Sequence, residues 1–220
     1  MMFRVVVRNA ISLLSANVIS NAVGFAVTIL LVRYLGVEGI GRYTYFTTYA
    51  ALFGILSNFG LYLVLTRQVA AGPRDADVHL GSVLVLQALL SPLALTVTVG
   101  SAFLFHPTSE ILPIALAGVG VILASAAGTY GAVVAGQERI HLNAAVSIGM
   151  AVLWGLLVLG LVALQLGVFG LLVLFVIHKL ANVSALRLVC HRACRVTPRY
   201  DLRGLPVRSE ERRVGKECRL

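Results

Sequence analysis

The sequence predicts an all-α membrane protein, a bundle of about six transmembrane helices. Three observations predict it: long runs without charge, an apolar excess too large for a soluble surface, and a lopsided placement of basic residues. Of the 220 residues, 59% are hydrophobic, and the mean hydropathy is +0.92. Soluble domains hold roughly 45–50% apolar residues. A spanning helix needs about 20 apolar residues in a row. Residues 9–32, 43–66 and 111–137 carry no charge apart from their termini's neighbours, and 78–109 carries only His79 and His106. Residues 140–178 hold no Asp, Glu, Lys or Arg over 39 positions, enough for two spans with Gln165-Leu166-Gly167 as the turn. A soluble helical core with this composition would lack the polar residues to cover itself.

The spans fall at about 10–32, 43–66, 80–105, 111–136, 142–164 and 168–189 and form one bundle over residues 1–190. Arg4 and Arg8 before an apolar run also fit a secretory signal. Asn17, Ser20 and Asn21 interrupt that run, however, and the apolar character continues to Val32, so a retained first span fits better. The glycines of "LLVRYLGVEGIGRYTYF", Gly36, Gly39 and Gly41, read as a short turn after the first span. Tyr43, Tyr45, Phe46 and Tyr49 then read as an interfacial aromatic belt. Pro92 predicts a bend in the third span. In the fourth, Gly120, Ala124, Gly128, Ala132 and Gly136 recur every four residues, a close-packing stripe for a neighbouring helix.

A net charge of +9 in a soluble protein would suggest a nucleic-acid partner. Here membrane topology explains it, and no nucleic acid is implied. With the N-terminus cytoplasmic, Arg4, Arg8, Arg67, Arg74 and Arg139 lie inside. Lys179, Arg187, Arg192, Arg195, Arg199 and Arg203 are assigned to the same side at the chain's end. Only Arg33 and Arg42 fall outside. Cytoplasmic enrichment in Lys and Arg sets orientation, which predicts both termini in the cytoplasm. A basic cytoplasmic segment occupies 191–207. The stretch "SEERRVGKECR" within 208–220 has no apolar period and reads as a non-native tail.

Polar residues inside spans carry the functional information. Asn17, Ser20, Asn21, Gly24 and Thr28 share one helical face. Such a face serves either as glue between helices or as the lining of a wet cavity. Gln87, Ser91 and Thr98 repeat the pattern in the third span. No paired carboxylates occur in the spans, the five histidines are scattered near span ends, and no nucleophile has an evident base. No catalytic residue and no cofactor is predicted. Cys190-His191-x-x-Cys194 is half of a zinc pattern without a second pair, so no metal site is predicted. Asn182-Val183-Ser184 matches a glycosylation sequon but lies at a cytoplasmic span end.

These residues carry a family resemblance. Arg33-Tyr34-Leu35-Gly36, Gly41-Arg42-Tyr43, Phe59-Gly60-Leu61 and Arg67 follow one another in the order and spacing seen in oligosaccharide flippases. "VVAGQERIHLNAAV" over 133–146 is similar to the same family's connection between its fourth and fifth spans. The chain thus resembles the polysaccharide-synthesis branch of the multidrug/oligosaccharidyl-lipid/polysaccharide exporter superfamily over most of residues 9–190. The resemblance implies one lobe of a two-lobe transporter, with the C-terminal lobe missing from this chain. It implies a polyprenyl pyrophosphate-linked oligosaccharide moved across the cytoplasmic membrane by alternating access, with membrane lipids as surroundings and no enzymatic step.

A pyrophosphate crossing about 30 Å of hydrocarbon needs cationic partners in a wet cavity. Arg33 is the first candidate, since a guanidinium forks onto phosphate oxygens. Asn17, Asn21 and Gln87 would meet sugar hydroxyls or water, and Arg67 would meet the head group near the cytoplasmic entry. Arg33 also follows enough uncharged residues to reach the outer interface and snorkel there, so both placements stand. Two other functions compete. A cation-coupled drug exporter of the same superfamily would be expected to carry a carboxylate within its spans, and none is present. A non-transporting membrane scaffold would scatter its polar residues over unrelated surfaces.

Overall fold

The computed structural model describes residues 2–72 and 75–198, with side chains from Asn17 onward. The side chains of Arg4 and Arg8, Arg74, the 199–207 part of the basic segment and the tail at 208–220 lie outside the described residues. Six helices follow in order: α1 (Met2–Asn58), α2 (Leu61–Ala71), α3 (Ala76–Phe105), α4 (Thr108–Gly136), α5 (Ile140–Ala163) and α6 (Val168–Val189). A π-helical turn, Cys190–Cys194, extends α6. No strand occurs among the described residues. Five of these helices are long and apolar enough to cross a membrane. The chain is a multi-pass, all-α membrane protein, the class its sequence predicts.

α1 is two helical arms, 2–35 and 37–58, joined at Gly36, whose φ of 72° and ψ of 175° break the helix. The arms run in opposite directions. On the first, Val23 and Val27 pack over Gly155, and the Tyr34 hydroxyl donates to the Leu166 carbonyl, so it runs parallel to α5. On the second, Gly54 lies against Val121 and the Ser57 hydroxyl meets that of Ser125, so it runs parallel to α4. The Asn143 amide donates to the Gly131 carbonyl across the short connection between α4 and α5, which are therefore antiparallel. Gly36 thus reverses the chain at one end of the bundle, together with the α3–α4 and α5–α6 turns. This is called here the turn end. The opposite end holds Arg67, Arg139, Arg187, Arg192 and Arg195 and is called the basic end.

The stretch between the first two spans is therefore more helical than its three glycines suggest. Only Gly36 turns. Gly39 and Gly41 are helical, and Gly39 sits where a Cβ would come 2.9 Å from Leu35 and 3.4 Å from Val168. Glu38 and Arg42 form an i,i+4 ion pair at 2.8 Å that supports the new helix start. The second pass is also interrupted. Phe59 (φ 33°) and Gly60 (φ 74°) are left-handed, which separates the second arm from α2. α2 then continues in the same direction, with its Val69 against Gly136 of α4. α3, in contrast, is one helix through Pro92, where the Thr96 hydroxyl donates to the Pro92 carbonyl at 2.8 Å.

Hydrocarbon is no worse a solvent for Leu than another Leu is, so helices in a membrane are held by close packing and polar contacts. Three buried clusters do this. One, toward the basic end, joins α2, α3, α4 and the α6 extension around Leu65, Val69, Leu80 and Val133. One, toward the turn end, joins the second arm of α1 to α3, α4 and α6 around Phe46, Ala102, Ile114 and Leu172. The third joins the first arm to α5 and α6 around Leu31, Val158 and Leu171. The small-residue stripe of α4 works as packing at both of its ends. A Cβ at Gly120 would collide with the Phe175 ring, and one at Gly136 would meet Val69 at 2.8 Å. At Gly128, midway, nothing lies within 4 Å of that position.

Candidate functional site

The sequence-predicted site residues do not converge. Gln87 is buried between α3 and α4, 3% exposed, and its Oε1 accepts from the Thr129 hydroxyl at 2.8 Å. In this conformation it packs against α4 and is not exposed on the surface of the bundle. It belongs to a polar belt inside the bundle. Thr129 also reaches the Ser125 carbonyl at 3.3 Å, and the Ser125 and Ser57 hydroxyls meet at 3.1 Å. The belt ties the second arm of α1 to α3 and α4 near the break at Phe59–Gly60. Gln87 Nε2 has no partner among the described residues.

Asn17, Asn21 and Thr28 lie exposed along the first arm, with Thr28 donating to the Gly24 carbonyl at 2.9 Å. The opposite preference holds for Val27 and Leu31, which are buried against α5 and α6. Arg33 is exposed three residues before Gly36, at the turn end. At 3.6 residues per turn it projects about 150° away from the middle of the Asn17–Thr28 face. One wall cannot hold both. Arg67 is exposed near the end of α2, at the basic end. Arg42, the other basic residue at the turn end, has Glu38 as partner.

The membrane-spanning charge that the structure does reveal is Lys179. It is assigned by sequence to the basic flank, but it is the twelfth of the 22 residues of α6, about 18 Å from the turn-end start of that helix. The predicted span 168–189 already contains it, and the helix continues without interruption to Val189. Its Nζ lies 5.1 Å from the centre of the Phe175 ring. No carboxylate pairs with it among the described residues. Asp75, Asp77, Glu110 and Glu138 all lie at helix ends, and the only ion pairs among the described residues join Arg42 to Glu38 and His106 to Glu110. A centred, unpaired lysine costs about 2.5–3.5 kcal/mol on the insertion scale. A cation over an aromatic face returns about 0.5–2 kcal/mol of this.

The neighbour of Lys179 faces another way. His178 Nε2 lies 3.1 Å from the Met150 carbonyl of α5, and its ring is 5.1 Å from that of Trp154. His178 therefore anchors α6 to α5 and sets the azimuth at which Lys179 leaves the helix. Sequence reasoning missed this pair. Its signal was available: Lys179 stands at the middle of its own predicted span, 168–189.

A second polar group closes the turn end. Tyr45, on the second arm of α1, lies 3.2 Å from His106 Nε2, and His106 Nδ1 lies 3.2 Å from Glu110. With the ring proton on Nδ1, Tyr45 donates to His106 and His106 donates to Glu110. Tyr49 stacks edge-on to the same ring at 4.9 Å and donates to Ser101 at 2.8 Å. The aromatic belt is thus also a latch between α1 and the α3–α4 turn.

At the basic end, Arg139 donates to the Ala193 carbonyl, and the Thr197 amide donates to Asp77 at 2.8 Å. These contacts hold the segment after α6 across the ends of α3 and α5. Cys190 is buried and donates to the Tyr130 carbonyl at 3.3 Å, so its thiol is engaged in packing.

A family model described as polysaccharide biosynthesis protein matches residues 6–201. The chain belongs to the polysaccharide biosynthesis protein family. The match covers the six helices from residue 6 onward and the π-helical turn. Comparisons with curated proteins and with solved structures found no match.

Proposed function

We propose that this protein moves a lipid-linked oligosaccharide across the cytoplasmic membrane for the synthesis of a cell-surface polysaccharide, by alternating access and without chemical change of the substrate. The observation that carries this reading is the family match over residues 6–201 on a chain of membrane-spanning helices. The substrate would be a polyprenyl pyrophosphate bearing the sugar. Its path would run between this lobe and a second, C-terminal lobe, since repeat-built transporters bind near the midplane between repeats. Both termini of the lobe would be cytoplasmic, with the basic end inside.

Arg33, the Asn17–Thr28 face and Gln87 lie on different surfaces of this lobe, an arrangement that a scaffold would also give. The exposed asparagine face remains suited to a wet, sugar-filled path, and Arg33 to an outer rim. Arg67 stays at the entry side. A cation-coupled drug exporter is the lesser reading, because every described carboxylate lies at a helix end.

The test is transbilayer movement of a labelled lipid-linked oligosaccharide in vesicles carrying the protein together with its C-terminal lobe. Transport without ATP is expected. Retention of the labelled lipid in its original leaflet, with the protein shown folded, would leave the scaffold reading in its place.

A further inference from the structure

We infer that Lys179 is the phosphate-holding residue of this lobe, and that it takes a phosphate group borne on a lipid. The inference rests on the proposed transport of a lipid-linked oligosaccharide and names the residue that meets its charge. Three observations support it. Lys179 is the twelfth of the 22 residues of α6, a helix long and apolar enough to cross a membrane, and is half-buried. No carboxylate forms an ion pair with it among the described residues, and its ammonium lies 5.1 Å from the centre of the Phe175 ring. A cation kept in a span without an internal partner points to an anion that arrives from outside the protein.

The α4 surface facing this stretch of α6 is lined by small residues. α6 touches α4 at Phe175–Gly120 on one side of Lys179 and at Cys190–Tyr130 on the other. The α4 residues between those contacts include Ala124 and Gly128, and Gly128 has open space where a Cβ would be. Lysine also suits the task better than arginine here. It is a point charge with three donors on a flexible stem, so it can follow a phosphate through a change of conformation. The His178 contact to Met150 fixes the face of α6 from which Lys179 projects.

The protein carries its own reporter. Trp154 is its single tryptophan, and its ring is 5.1 Å from that of His178, the residue before Lys179. Trp154 emission from the full chain in a neutral detergent would be followed during titration with geranylgeranyl pyrophosphate, with the uncharged alcohol geranylgeraniol, and with dioleoyl phosphatidylglycerol. A saturable change is expected with the pyrophosphate and a much weaker one with the alcohol. Lys179→Gln should weaken pyrophosphate binding by about tenfold or more, the scale of a lost charged contact. Lys179→Arg should keep affinity within about threefold. Unchanged thermal melting of both variants would show that folding is not the cause.

Equal binding by wild type and Lys179→Gln would overturn the assignment of Lys179 and leave the transport reading standing. No saturable change with either phosphate lipid would overturn the assignment of Lys179, while the transport reading stands or falls on the vesicle assay with both lobes. Saturation by phosphatidylglycerol alone, lost in Lys179→Gln, would keep the phosphate site and make a membrane lipid its source.

Discussion

Tyr45 and His106 are 61 residues apart in the chain and 3.2 Å apart in the fold. Their contact joins the second arm of α1 to the turn between α3 and α4, with Glu110 as the third member. The group lies at the turn end, where the sequence shows only an aromatic belt and an isolated histidine. A double-mutant cycle of Tyr45→Phe and His106→Ala should show a coupling of about 0.5–1.5 kcal/mol, the usual net worth of a hydrogen bond. Unfolding in mixed detergent would measure it. Additive single effects would show that the belt does not act as a latch.

Gly36 makes the first reversal by itself. Its φ of 72° with ψ of 175° belongs to a region that only glycine occupies without strain. Gly36→Ala should lower stability by about 1–3 kcal/mol, although nothing lies within 4 Å of the added methyl. The same substitution at Gly41, which is helical and also has open space, should be neutral or stabilising. Equal losses at both sites, read by detergent unfolding, would count against a backbone cause at Gly36.

Gly120 is limited by space and not by backbone conformation. An added Cβ would collide with the Phe175 ring, which also meets Tyr43 edge-on at 6.1 Å. Gly120→Ala should therefore destabilise the protein by about 1–3 kcal/mol through overpacking. Combining it with Phe175→Leu should recover part of that loss, because the smaller side chain vacates the position. A double variant no more stable than Gly120→Ala would place the strain elsewhere.

Gln87 illustrates how a polar residue in a span can be internal glue. Replacing it with Met removes the bond from Thr129 but also removes the unpaired Nε2. Hydrogen bonds between membrane helices average about 0.6 kcal/mol and reach about 1.7. Gln87→Met should therefore cost no more than about 1 kcal/mol, and the variant should transport normally. A stable variant with defective transport would return Gln87 to a substrate-contacting role.

The membrane-spanning class was legible in the sequence because hydrocarbon demands long uncharged runs, and those appear in any reading of 9–32 or 140–178. The turn at Gln165-Leu166-Gly167 was legible for the same reason, as the one polar break in a run long enough for two helices. The break at Phe59–Gly60 was not, because a single glycine in an apolar stretch is compatible with a continuous helix. Helical periodicity grouped Asn17, Asn21 and Thr28 correctly on one face. It also places Arg33 on another, a fact that only matters once the first arm is known to be regular up to Leu35.

By itself, then, the sequence determined that this chain crosses a membrane several times, because solvent preference is a property of each segment alone. It also carried the pattern by which the family is recognised. Tertiary structure decided which polar residues are internal and which are free to meet a ligand. Gln87 is capped by Thr129, Arg42 by Glu38 and His106 by Glu110, whereas Lys179 stands mid-helix beside an aromatic ring with no carboxylate partner among the described residues. Pairing depends on which helices pack together and at what azimuth, and hydropathy carries neither.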